Sequence, residues 1–129
     1  MRNKLIKFLI FCCISVVVGC SYHKSDIEYP LSTCDTTIIG YRAEITQILD
    51  KYCKDCHAPQ NYASISNQNL YDFKTIHELA TDGKFAKGTL LTAVLQTGEV
   101  TPMPFNRLKI SDCDIDKIRA WVNRGAPDN

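Results

Sequence analysis

The chain has 129 residues, 45% hydrophobic and 22% charged, a globular composition of single-domain size that excludes disordered, fibrous and multi-domain readings. Its formal charge is +1, and Arg2, Lys4 and Lys7 crowd the first seven residues; without them 12 basic residues face 14 acids, so the remainder sits near −2. A slightly acidic folded part offers no basic stripe for phosphates, which argues against a nucleic-acid partner. Seven cysteines carry more information than the charge.

Leu5 to Val18 is an apolar stretch of 14 residues interrupted by Lys7, too short to span a bilayer comfortably. Basic residues, a short apolar run and then small residues match a secretory signal, which is set aside from fold reasoning. Val17-Val18-Gly19-Cys20 resembles the bacterial lipobox. The resemblance implies that residues 1–19 are removed and that Cys20, diacylated on its sulfur, becomes the first residue of the mature protein. Two or three acyl chains suffice for stable anchoring, so the expectation is an exported protein lipid-anchored to a bacterial membrane and facing the periplasm. An ordinary signal peptide or an uncleaved anchor is the alternative. Cys12 and Cys13 lie inside the apolar run, where a small polarisable side chain counts as apolar.

Residues 20–40 show no periodicity and read as a lipidated tether and an extended N-terminal arm, with His23 a solvated linker residue. A domain over 41–129 follows. Tyr41, Ile45, Ile48, Leu49 and Tyr52 recur at helical spacing among charged residues, predicting an amphipathic helix that runs straight into Cys53. Residues 57–71, with Pro59 and several Asn and Ser, read as a loop. Asp72 is placed to cap a helix with Phe73, Ile76, Leu79 and Ala80 on one side, His77 on it and Gly83 at its end. Leu90, Leu91, Val94 and Leu95 form another, closed by Gly98. Thr101-Pro102-Met103-Pro104 must be extended, because each proline pushes its predecessor out of the helical region. Ser111 then caps a last helix with Asp112 and Asp114 in its first turn, Ile115, Ile118, Trp121 and Val122 on its apolar face, Gly125 as left-handed cap and Pro127 beyond. No strand pattern competes, so the fold class is all-α. Neither a glycine-rich phosphate loop nor a Gly-x-Ser-x-Gly elbow occurs.

Cys53-Lys54-Asp55-Cys56-His57 is the Cys-x-x-Cys-His attachment sequence of c-type haem. Two thiols add across the two vinyl groups on one edge of the porphyrin, and the adjacent histidine turns its imidazole under the plane to bind iron. Leu49 to Cys53 and Tyr52 to Cys56 are four-residue steps, so the motif continues the apolar face of the preceding helix. Two other chemistries use such residues. A structural zinc site needs further ligands from Cys34, Cys113 or His77, and neighbouring Cys56 and His57 reach one tetrahedral ion only with difficulty. A thioredoxin-like redox pair should follow a buried strand, whereas a helix leads in here.

With that motif, a helix before it, a Met-Pro segment and a C-terminal helix bearing an aromatic residue, residues 41–126 resemble the small class I cytochrome c domains. The resemblance implies a small helical domain wrapped around one haem c, covalently held through Cys53 and Cys56, with the first and last helices crossing at Trp121. It also implies His57 and Met103 as the two axial iron ligands. Met103 lies 46 residues after His57 and is the only methionine beyond the leader, between two prolines that stiffen its loop. The rival distal ligand, His77, follows His57 by only 20 residues and sits between Lys74 and Glu78 on a charged helix, which favours a surface role. One departure concerns the proline about a dozen residues after the histidine whose carbonyl orients the imidazole in mitochondrial-type members. Here that position is Asn69 or nearby, so the acceptor for His57 is open.

Once the anchor and the attachment thiols are set aside, Cys34 and Cys113 remain, and an oxidising exported compartment pairs spare thiols, so a Cys34–Cys113 disulfide is expected. Functionally, the resemblance implies a membrane-tethered one-electron carrier, not an enzyme, with no small-molecule substrate. Redox proteins would be its transient docking partners. An electron-entry subunit of a redox enzyme and a haem-based ligand sensor are the competing readings. Lys51 and Lys54 alternate with Asp50 and Asp55 near the motif, leaving the sign of the docking face undetermined.

Overall fold

A computed structural model describes residues 34–129, so the expected leader, the expected lipidation at Cys20 and the part of the arm that holds His23 lie outside the described residues. Every element among the described residues is helical. A π-helical turn, Tyr41–Ile45, leads into α1 (Thr46–Tyr52); α2 (Lys54–His57) and α3 (Tyr62–Ile65) are single turns; α4 (Phe73–Thr81), α5 (Gly88–Leu95) and α6 (Asp112–Asn123) are longer. None of these helices is long and apolar enough to cross a membrane.

The expected first helix therefore forms with a wider initial turn, in which the Glu44 and Ile45 amides both bond the Gly40 carbonyl. Gly40 supplies no side-chain cap to this turn. Its next donors are satisfied from far downstream: Tyr41 N donates to Asn129 Oδ1 and Arg42 N to Asn129 O, both at 3.0 Å. A buried cluster of Ile45, Ile48, Leu49, Ile115 and Ile118 joins α1 and its leading turn to α6. Trp121 is fully buried, stacks on Tyr41 at 5.8 Å between ring centroids, and donates its indole N–H to the Pro127 carbonyl at 2.9 Å. Phe73 meets Tyr41 in an edge-to-face arrangement at 5.0 Å between centroids, which the ring quadrupoles favour.

The helix starts at Asp72 and Ser111 follow from local chemistry. Asp72 accepts from the Thr75 amide at 3.1 Å, and Ser111 from the Asp114 amide at 3.1 Å, each satisfying a donor that the first helical turn cannot. Asp72→Ala should lower unfolding free energy by about 1 kcal/mol, read as a lower denaturant midpoint at unchanged slope.

Two boundaries differ from the sequence expectation. The region 57–71 contains the α3 turn, too short to announce itself by periodicity. Helix α5 is closed not by Gly98 but by Gln96, itself left-handed at φ 56° and ψ 40°; Gly98 lies in the turn beyond. At the other end of α5, Gly88 has φ +73°, and a Cβ there would stand 2.2 Å from the Ala80 carbonyl oxygen. Only glycine allows α4 and α5 to approach so closely.

His77 is not the exposed residue its charged surroundings suggested. It is half-buried, lies over Phe73 at 5.5 Å, and its Nδ1 bonds the Ala126 carbonyl at 3.0 Å, bracing the segment after α6. Cys34 and Cys113 form a disulfide, with Cα atoms 5.4 Å apart, and so tie the arm to the first turn of α6. Arg124 reinforces the arm by donating to the Thr37 carbonyl at 3.1 Å.

Candidate functional site

Helix α1 ends at Cys53, whose amide still bonds the Leu49 carbonyl at 2.8 Å while its backbone departs to φ −117°. The His57 amide then bonds the Cys53 carbonyl at 3.0 Å, winding Lys54–His57 into one turn. This turn gathers Cys53, Cys56 and His57 on a cavity of about 480 Å³, within the roughly 300–1,000 Å³ of small-molecule and cofactor sites. The floor is apolar, with Leu70, Leu79, Leu90 and Val94 among its lining residues.

Met103 lines the same cavity, although it arrives from a loop after α5. Its backbone is clamped to that helix twice: Met103 N donates to the Ala93 carbonyl at 3.0 Å, and Gln96 Nε2 donates to the Met103 carbonyl at 3.2 Å. The left-handed backbone of Gln96 turns the chain so that its side chain can close this second bond. A cis peptide joins Met103 to Pro104. His77 does not line the cavity, its ring being engaged with Ala126.

His57 is 8% exposed, so its polar ring needs a defined partner. Nδ1 lies 2.9 Å from the Gln68 carbonyl oxygen. A carbonyl only accepts, which places the ring proton on Nδ1 and leaves the Nε2 lone pair free for a metal. The acceptor left open in the sequence is therefore a backbone group of the loop, one residue before Asn69 and with no proline involved. No side-chain pattern could have announced it.

The two thiols are free and half-buried. Burial pushes the Cys53 thiol up to about 11, with neighbouring Cys56 adding to the effect. A redox-exchanging pair requires the opposite, a depressed pKa and an electropositive setting. Among the described residues no three His, Cys, Asp or Glu side chains are grouped to hold a metal ion, whereas iron held by four porphyrin nitrogens asks the protein only for axial ligands. At the cavity mouth the Arg107 guanidinium donates through both terminal nitrogens to Asp55 Oδ2 at 3.2 Å, tying the Met103 loop to the Lys54–His57 turn. Phe105 and Ile65 are exposed beside it. Neither the Gln96 clamp nor this ion pair could be read from spacing, since each joins residues whose proximity depends on the folded loop.

Compared with known proteins, the chain matches no family model, no curated protein and no solved structure.

Proposed function

We propose that the protein is a monohaem c-type cytochrome of the class I kind, a one-electron carrier with His-Met iron ligation, anchored to a bacterial membrane through Cys20. The observation that carries this reading is the convergence of Cys53, Cys56, His57 and Met103 on one largely apolar cavity of cofactor size. The donor set fits haem c: two adjacent thiols for the vinyl groups, an imidazole held as its Nδ1–H tautomer, and a thioether from a clamped loop.

When bound, the haem supplies a ferric/ferrous couple for single electrons. Cys53 and Cys56 would hold it covalently, His57 would present Nε2 while its Nδ1 bonds the Gln68 carbonyl, and Met103 would present its sulfur. Were His57 and Met103 both to ligate the iron, the chain itself would supply both protein ligands, and that favours a carrier over an enzyme or a ligand sensor. Leu70, Leu79, Leu90 and Val94 would give the haem a largely apolar setting, and this together with a thioether ligand would favour the reduced state. Redox proteins would be the partners, docking transiently at the membrane.

The test is expression of the full chain with c-type haem attachment machinery, followed by mass spectrometry of the membrane fraction. The expected product begins at Cys20, carries acyl chains and keeps one haem through denaturation, whereas Cys53→Ser/Cys56→Ser retains the lipid and loses covalent haem. A wild-type product without covalent haem would overturn the cytochrome reading, and an N-terminus elsewhere would overturn the anchor.

A further inference from the structure

The segment that supplies the acceptor for His57 has little packing to hold it. Asn67 and Gln68 are exposed and Asn69 only half-buried, so the nearest hydrophobic anchor of this peptide is the buried Leu70 after it, and that leaves the orientation of the Gln68 carbonyl to hydrogen bonds. The side-chain hydrogen bonds next to it meet at Ser66. Its hydroxyl lies 2.9 Å from the Cys56 carbonyl oxygen, 3.2 Å from the Gln68 carbonyl oxygen and 3.3 Å from the Gln68 amide nitrogen.

A serine hydroxyl has one hydrogen to give and lone pairs to receive. Donation along the shorter path, to Cys56 O, leaves the oxygen free to accept the Gln68 N–H. One side chain then bridges the attachment turn and the peptide that faces His57. Asn67 completes the turn in the left-handed region at φ 55°, its amide bonding the Tyr62 carbonyl at 2.6 Å, and the Leu70 amide returns to the His57 carbonyl at 3.2 Å. Besides the His57 ring itself, Ser66 is a side chain that ties position 68 to the motif.

We propose that Ser66 is a positioning residue for His57: by stapling the Gln68 peptide to the Cys56 carbonyl, it keeps Gln68 O where it fixes the imidazole as its Nδ1–H tautomer and sets the donor strength of Nε2. The proposal rests on the cytochrome reading for the role of Nε2, but the staple itself belongs to the polypeptide. A hydrogen bond from Nδ1–H makes the imidazole a more basic ligand, which favours the ferric state. Loss of the staple therefore loosens that bond and raises the reduction potential.

Ser66→Ala, Ser66→Thr and, as a control in the same loop, Ser64→Ala are compared in the full chain. Ser64 donates only to the Asn61 carbonyl at 3.1 Å. The primary readout is solvent exchange of the His57 Nδ1 proton by NMR in the ferrous haem-loaded protein, with the reduction potential as the second. Ser66→Ala should exchange at least about tenfold faster, as expected for losing a bond of about 1.4 kcal/mol, and should shift the potential upward. Ser66→Thr, which keeps the hydroxyl, and Ser64→Ala should match wild type in both. If Ser66→Ala leaves exchange and potential unchanged while only lowering stability, or if Ser66→Thr behaves as Ser66→Ala does, the positioning role is wrong. Should the chain take up no haem, exchange is read on the haem-free chain: protection lost in Ser66→Ala then upholds the staple while the cytochrome reading falls, and unchanged protection overturns both.

Discussion

Met103→Ala should leave haem attached through Cys53 and Cys56 while removing the weak long-wavelength absorption band of sulfur-to-iron ligation from the oxidised protein. Its potential should fall by on the order of 0.1 V, a fraction of the roughly 0.8 V over which axial ligands tune haem iron. The ferrous form should then bind carbon monoxide, because the sixth position has lost its internal occupant. These effects are separable from a collapse of the loop. The clamps on position 103, to the Ala93 carbonyl and from Gln96, use main-chain atoms of residue 103 that alanine retains. His77→Ala supplies the contrast. It removes the brace on Ala126 and should lower stability, yet leave the band, the potential and carbon monoxide binding as in wild type. A persisting band in Met103→Ala, or an opened iron in His77→Ala, would reverse the ligand assignment.

The second large effect concerns stability. Cys34 and Cys113 are 79 positions apart, and the chain-entropy relation assigns about 4.5 kcal/mol to cross-linking a loop of that length. Strain and residual structure in the unfolded chain reduce such values, and losses on removing a disulfide from a small exported domain run roughly 2–5 kcal/mol. The double variant Cys34→Ser/Cys113→Ser, which leaves no unpaired thiol at either position, should therefore lose about 3 kcal/mol and roughly 15 °C in Tm. Thermal unfolding with and without reductant gives the same comparison in wild type. The native fold should survive, because Ile39 remains buried and Arg124 still holds the arm through the Thr37 carbonyl. Labelling of denatured, unreduced protein checks the pairing directly, since Cys34 and Cys113 should not react.

What could be read in advance was whatever local chemistry decides. Asp72 and Ser111 marked helix starts because a cap and its amide partner lie three residues apart, and both bonds form. The apolar stripes of α1 and α6 were visible because 3.6-residue periodicity is imposed by burial on one face. The Cys53 to His57 cluster was visible because its side chains fall within five consecutive residues, and the three line one cavity. Features that depend on distant partners were not. His77 looked like a surface residue until the fold brought Ala126, 49 positions away, to its Nδ1. The Gln68 carbonyl left no trace, since every residue but its placement supplies one. Gly98 was the more obvious helix terminator, but the bond from Gln96 to the Met103 carbonyl stabilises a left-handed glutamine two residues earlier.

The way the first helix is capped has a consequence for the order in which the chain is made. Polypeptides emerge from the ribosome N-terminus first. The initial turn at Tyr41 and Arg42 depends on Asn129, which emerges only after the whole attachment motif and α4, α5 and α6. At roughly 5–20 residues per second, that delay is several seconds, far longer than a short helix takes to form or melt. During this interval the helix leading into Cys53 lacks both its downstream cap and the α6 surface on which Ile45 and Ile48 are buried. A segment so short is marginal without tertiary support. Vectorial synthesis thus leaves the helix leading into Cys53 without its long-range partners until Asn129 arrives to close its first turn.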